Sequence, residues 1–355
     1  MKNLSTTSPN KGIGSFFSFV ESNSKKFYNN KTNFNPKNKI LFYTGRHAIK
    51  FIIETIKLEG NINTFWIPDY YCQHVTSWLK MNYSNIKTYT VNPLENSEVI
   101  RAYNFLNDSD VIMVNNFWGL SNCTIDIKNK KVKVIEDHSH GWLSDSCKMS
   151  KADYCFASLR KTLPVPLGGI AWKPNGEKLK TNKYINSNMY INLWDKILLG
   201  MKKKSEFEYS IKKNESLKNQ FLKLVYEAEN SLHADYNLVK IDKKHKEVIK
   251  SFLKIDYLSF KNKNLNLILK LLQNNNGFNV IKSKSTPFGM TLHFENLKNM
   301  NNFKNYLISN KIYPSLLWPD NNTQYGYFLN IHIDYRYTEE DMNFIATTIN
   351  GFGKN

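Results

Sequence analysis

Asp137, His140, Ser158 and Lys161 bring a carboxylate, an imidazole, a hydroxyl and an amine into one short stretch of the chain. Lys161 lies in "FASLRKTLPVPLGG", residues 156–169, between the apolar pair Phe156 and Leu159 and a turn rich in Pro and Gly. Most other lysines of the chain are flanked by polar residues. A lysine enclosed by the fold has its pKa lowered by desolvation and neighbouring positive charge, which makes the amine a nucleophile toward carbonyls. The competing reading is one more surface cation. Ser158 and Lys161 also form an S-x-x-K spacing, in which one residue can hold a phosphate while the next turn presents an amine; a serine β-lactamase motif uses the same letters.

Two further stretches belong with it. In "VIEDHSH", residues 134–140, hydrophobic residues lead into Glu136 and Asp137, followed by His138 and His140. These are either a solvated strand end or an Asp placed to pair with a cationic ring nitrogen. Two histidines without other clustered ligands make a poor metal set, so no metal is expected. In "TGRHAI", Gly45 and Arg46 open a helix, where backbone N–H groups and the positive end of the helix dipole make a corner for phosphate.

Around these motifs, strand and helix patterns alternate along the chain. "TGRHAIKFIIETIKLEG" (44–60) has helical periodicity, "TFWIPDYYC" (64–72) predicts a short strand stopped by Pro68, and "QHVTSWLKMN" resumes as helix. Strands are expected at "IKTYTV" (86–91), "DVIMVNNFWG" (110–119), "KVKVIED" (131–137), "ADYCFASL" (152–159) and "GGIAWKP" (168–174). Such alternation implies an α/β fold with a mostly parallel sheet and helices on both faces, whose ligands bind at the carboxyl ends of the strands. Residues 176–275 turn helical and Lys-rich. The last eighty or so carry strand patterns at 288–294 and 327–334, each followed by a helix, the second opened by a capping box of Thr338 and Asp341. That predicts a smaller C-terminal α+β domain. We place the division between a large domain, 1–244, and a small one, 245–355.

The composition narrows the class of function. A chain of 355 residues with 41% hydrophobic and 14% aromatic residues can build sizeable cores and is not a disordered protein. Its 49 Lys+Arg against 30 Asp+Glu give a net charge of +19. That charge would attract polyanions, but the lysines are scattered with acids among them. Compositional drift explains them more simply, and no nucleic-acid-binding module is visible. Four cysteines, Cys72, Cys123, Cys147 and Cys155, form no C-x-x-C and no metal spacing, so a reducing cytoplasm is the expected setting. The first residues make a poor signal peptide, and no apolar run approaches the length needed to span a bilayer.

Taken in order, these motifs resemble the fold-type I pyridoxal-phosphate (PLP) enzymes, and most closely the DegT-like sugar aminotransferases that act on nucleotide-linked keto-sugars. The resemblance runs nearly end to end through "GIGSFF", "TGRHAI", "WIPDYYC", "VIEDHSH", "FASLRKTLPVPLGG" and "IHIDYRYTEEDM". It implies that Lys161 bonds the cofactor and then serves as the base that moves the proton. It implies that Asp137 keeps the pyridine nitrogen protonated, that His140 lies near the ring hydroxyl, and that Ser158 with the backbone of Gly45 and Arg46 holds the phosphate. An aromatic of "DYYC", Tyr71 rather than Tyr70, should cover the ring face.

The implied activity is transfer of an amino group from an amino acid, glutamate by preference, to a keto-sugar for surface polysaccharide, by a homodimer. The family more often has an S-F-H-x-x-K-like run before the lysine, so Arg160 has no family role. Arg46 replaces the usual small hydroxyl residue after Gly45, and "WPDNN" (318–322) faces the site from the small domain without assignable contacts. Other readings are a PLP-dependent decarboxylase or lyase and a non-catalytic member of the fold. Dehydratases of the family typically carry His at the lysine position, which Lys161 argues against.

Overall fold

The fold is described from a computed structural model, over residues 12–94, 101–120, 125–127, 129, 131–180, 183–210, 214–232, 237–273, 277–282, 288–318 and 323–353. The "WPDNN" stretch beyond Trp318 and Cys123 lie outside the described residues.

Seven strands form the central sheet, in the order Ile40–Phe42, Gly169–Trp172, Tyr154–Ser158, Lys133–Asp137, Val111–Asn115, Phe65–Pro68 and Ile86–Tyr89. All neighbours pair in parallel except Gly169–Trp172, which runs antiparallel to both strands beside it. The expected mostly parallel sheet is therefore present. The run Val111–Asn115 is buried at every position, as a strand covered on both faces must be. The strand Ile40–Phe42 was not foreseen: its three residues carry too little pattern to be read without the partner that pairs with them.

Register decides what stands at the carboxyl edge. Asn115 pairs with Asp137, and Asp137 pairs with Phe156, so Asn115 and Asp137 end adjacent strands side by side. Ser158 extends its strand two residues further and lies opposite Gly169. A Cβ at Gly169 would stand 2.1 Å from the Thr44 carbonyl oxygen. Only glycine lets this strand approach the helix start that follows Thr44 so closely.

That helix, Gly45–Glu59, is capped by Thr44, whose hydroxyl accepts from the His47 N–H at 3.1 Å. Its Ile49, Ile52, Ile53 and Ile56 recur at helical spacing and are all buried in the core under the sheet. The predicted helix Gln73–Asn82 follows the strand Phe65–Pro68. The Lys-rich region is helical as expected, with long helices Asn188–Tyr209 and Glu215–Ser231 packed together, then Lys243–Phe252 and Tyr257–Leu271.

The C-terminal part has its own four-stranded sheet, in the order Asn279–Val280, Met290–Phe294, Tyr327–Ile331 and Ser315–Leu316, antiparallel throughout. Helices Leu297–Ser309 and Glu339–Gly351 enclose its core, and the Thr338–Asp341 capping box is formed in both directions. The helix Lys243–Phe252 starts at the expected division but buries Ile249 and Phe252 in the core of the larger part.

The beginning of the chain is tied to the C-terminal part. Ile13–Gly14 pairs in parallel with Ile312–Tyr313, and the Gly14 N–H donates to the Tyr337 hydroxyl at 2.7 Å. Arg336 donates to the carbonyls of Gly14, Ser15 and Phe16 at 3.0–3.3 Å while its other edge is held by Asp334. No helix of the described residues is long and apolar enough to cross a membrane.

Candidate active site

The carboxyl edge of the large sheet, the start of the Gly45–Glu59 helix and the Glu215–Ser231 helix enclose a cavity of about 390 Å³. Gly45, Arg46, Tyr71, Asp137, His140, Ser158 and Lys161, all seven residues singled out in the sequence, line it.

Asp137 is at the end of its strand and buried, which puts a carboxylate where it must be hydrogen-bonded. One oxygen accepts the Tyr71 hydroxyl at 2.5 Å and the other accepts the Ser139 N–H at 2.8 Å. Each oxygen keeps a further lone pair for a donor in the cavity. Burial, with Asp137 beside it, holds the Tyr71 phenol well above its ordinary pKa, so it stays protonated and donates. Of the two tyrosines, only Tyr71 lines this cavity. Tyr70 turns away and packs among Phe117, Trp118, Trp318, Tyr325 and Phe328.

Across the cavity, Lys161 ends the short turn Leu159–Lys161 that follows Ser158. Its Nζ is 3.0 Å from His140 Nε2. Desolvation lowers the Lys161 pKa, opposed by the nearby Cys72 and Asp137. His140 is pushed well below its ordinary pKa by burial and then by the charges of Lys161 and Lys261, so the ring is neutral at pH 7 and can accept from an ammonium. His140 stacks on Trp318 at 5.5 Å between ring centroids. The other histidine of the motif, His138, bonds Glu136 at 2.9 Å instead of lining the cavity.

The helix start and the end of the Tyr154–Ser158 strand, expected from the sequence to hold a phosphate, are closely packed. A Cβ at Gly45 would lie 3.1 Å from Ser158 Cβ, so the helix start and the strand end touch. Arg46 turns its guanidinium to the Leu232 carbonyl at 2.8 Å, tying the helix start to the chain after Ser231. Arg160, which the motif left without a role, makes two bonds to Glu229 at 2.5 and 2.9 Å.

Other lining residues had no clear signal in the sequence. Asn115 is buried, and among the described residues its side-chain Nδ2 has no hydrogen-bond partner. Its position at a strand's carboxyl end was the one available hint. Trp318 reaches the cavity from the C-terminal part with φ of +49°, a left-handed conformation that is costly for a bulky side chain and that clusters at functional sites.

No protein-family model matches the sequence, and no curated protein matches it. Solved structures do match. A sugar aminotransferase from Micromonospora echinospora aligns over 98% of this chain and 100% of its own, with a TM-score of 0.54 at 11% identity. A DegT DnrJ EryC1 StrS aminotransferase from Brucella abortus aligns over 90% and 87%, with 0.55 at 11% identity. GDP-4-keto-6-deoxymannose-3-dehydratase, solved with a trapped PLP-glutamate adduct, aligns over 88% of both chains, with 0.57 at 12% identity. The chain has the fold of these enzymes. At such identities the likeness speaks for the architecture expected from the motifs: the seven-stranded sheet and the smaller α+β part.

Proposed function

We propose that this protein is a PLP-dependent aminotransferase that moves an amino group from an amino acid, glutamate by preference, to a keto-sugar carried on a nucleotide, for surface polysaccharide. The observation that carries the reading is the placement of Asp137 and Lys161 in one cavity, with the start of the Gly45–Glu59 helix beside them. The residues fit the cofactor's three polar groups. Asp137 has lone pairs for a ring N–H, the unpartnered amide of Asn115 and neutral His140 suit a ring hydroxyl, and Ser158 with the Gly45 and Arg46 backbone suits a phosphate.

When bound, PLP supplies an electron sink for the pair left at the substrate carbon. The chain's own residues supply the rest. Lys161 would hold the cofactor, and its Nζ would take and return the proton at the substrate carbon bearing nitrogen. A lowered pKa increases its neutral, basic fraction near pH 7. His140 accepts a hydrogen bond from that Nζ and so aims it. Tyr71 fixes the carboxylate of Asp137 rather than presenting a ring face alone.

A homodimer also belongs to the reading. Tyr226 lines the cavity yet is 69% exposed, and Leu222 on the same helix is 41% exposed, which leaves this side open for a second copy to close. The retained Lys161 supports amino transfer over the dehydratase branch. The test is an absorbance spectrum of the purified protein with added PLP, before and after glutamate. A band that appears with PLP and shifts to the pyridoxamine form with glutamate is expected; no band at all would overturn the reading.

A further inference from the structure

The sheet face turned away from Asp137 carries three ligand-type side chains that the scheme above does not use. Alternation along the strand Lys133–Asp137 puts Glu136 on one side and Asp137 on the other. The ladder continues one residue further, since the His138 N–H donates to the Phe156 carbonyl at 2.9 Å, so His138 follows Glu136 on the same side. Register brings in a third residue from the next strand. Glu136 pairs with Cys155, and Cys155 pairs with Trp172, on whose ring His138 stacks at 5.9 Å between centroids. A carboxylate oxygen of Glu136, a ring nitrogen of His138 and the sulfur of Cys155 all lie within 4.8 Å of one another. In the sequence the histidines of "VIEDHSH" lack a further ligand; strand pairing supplies one. None of the three residues lines the cofactor cavity.

A thiol, an imidazole and a carboxylate are donors that zinc takes together, whereas calcium and magnesium take oxygen alone. Donors around a tetrahedral zinc stand roughly 3–4 Å apart, so the observed spacing closes by side-chain rotation. Thiolate and carboxylate together neutralise a divalent ion, which leaves no net charge in the core. Cys155 and His138 are buried, and the Glu136 side chain, 15% exposed, gives the ion a way in. On binding, the Cys155 thiol gives its proton to solvent, and the Ser150 hydroxyl, 3.1 Å from the sulfur, donates to the thiolate. As His138 Nε2 leaves Glu136 for the ion, the ring keeps one proton, moved to Nδ1, which needs an acceptor. Asn116 supplies it. Its buried amide lies 3.5 Å from Nδ1, and among the described residues its Oδ1 has no hydrogen-bond partner. Turning the amide over presents that oxygen to Nδ1–H. The hydroxyls of Ser144 and Ser146, which accept from Asn116 Nδ2 at 3.1 and 2.7 Å, then donate instead. A Glu136–His138 ion pair by itself explains neither the sulfur beside it nor the unpartnered amide oxygen.

We propose that Glu136, His138 and Cys155 bind a divalent ion of zinc's kind on the sheet face opposite the cofactor cavity, with Asn116 as a positioning residue and a fourth position left to water. Asp137 lies between two of the ligands in the chain, so the ion clamps the strand end that presents this carboxylate.

The experiment is calorimetric titration of the chelator-stripped protein with zinc, with metal analysis after dialysis, compared with Cys155→Ser, His138→Gln and Asn116→Ala. We expect wild type to retain one zinc per chain, Cys155→Ser and His138→Gln to lose ~100-fold or more in affinity, and Asn116→Ala, which leaves all three ligands in place, to lose ~10-fold. Should a ligand variant fold poorly by circular dichroism, cobalt(II) tests wild type alone. A four-coordinate thiolate site gives intense ligand-field bands in the visible, outside the absorbance of PLP. Weak, octahedral cobalt bands, no stoichiometric zinc in wild type, or equal zinc binding in wild type and all three variants overturns the proposal. None of these readouts needs PLP or turnover, so the proposal fails or stands apart from the aminotransferase reading.

Discussion

Tyr71 donates its hydroxyl to Asp137 at 2.5 Å, joining the chain after the strand Phe65–Pro68 to the end of the strand Lys133–Asp137. Both partners are buried at the cavity wall, so the bond fixes the orientation of a carboxylate whose remaining lone pairs face the cavity.

Removing that hydroxyl should be felt in stability and in cofactor binding. Tyr71→Phe leaves the ring in place and takes one of two donors from Asp137, a change worth about 1.5–3 kcal/mol for a hydrogen bond to a charged group. PLP affinity, followed by absorbance titration, should fall several-fold with the band still formed. Wild-type affinity and an unchanged urea midpoint would mean that the bond does not position Asp137.

The Arg160–Glu229 pair should tune Lys161 more than it holds the fold together. Both side chains are about one-third exposed, so solvent screening leaves the pair worth less than about 1 kcal/mol. At Lys161, however, Arg160 lowers the pKa and Glu229 raises it. Arg160→Gln should therefore move the titration of the cofactor-bound absorbance to higher pH, and Glu229→Gln should move it to lower pH. Shifts of the same sign in both variants would show that the electrostatic account of Lys161 is mistaken.

Acid should destabilise this protein well above the ordinary carboxylate range. Burial, then Arg336, push His332 down to about 3, with Lys204 and Lys261 acting in the same direction and Asp334 opposing. His140 is also depressed. Between the ordinary His value near 6.5 and about 3, the unfolded chain binds a proton that the native His332 refuses, so stability falls as pH falls. Each such histidine contributes a slope of about 1.4 kcal/mol per pH unit. His332→Gln, which can still meet Ser315, should lose stability less steeply by about that slope when urea midpoints at pH 7 and 4.5 are compared. Parallel losses in wild type and variant would contradict this.

Much of the frame was legible because central strands announce themselves as apolar runs that end in polar residues. "VIMVN" and "KVIED" are such runs, and the polar ends carry Asn115 and Asp137. Helix Gly45–Glu59 was legible from Gly45 and the helical periodicity of the residues that follow it. What could not be read depends on partners distant in sequence. Ile40–Phe42 is a strand only because Gly169–Trp172 pairs with it. The part played by Asn115 follows from its register with Asp137, and Trp318 comes to the site from the far end of the chain. The uncertainty between Tyr70 and Tyr71 was one of register, and one residue decides between cavity and core.

The central claim is that Lys161 carries the cofactor, and it has a direct chemical test. The purified protein is incubated with PLP, reduced with borohydride, digested and mapped by mass spectrometry. A pyridoxyl-phosphate adduct on Lys161, absent when glutamate is added before the borohydride, is the predicted result. An adduct on other lysines with Lys161 unmodified, or no adduct at all, would contradict the account.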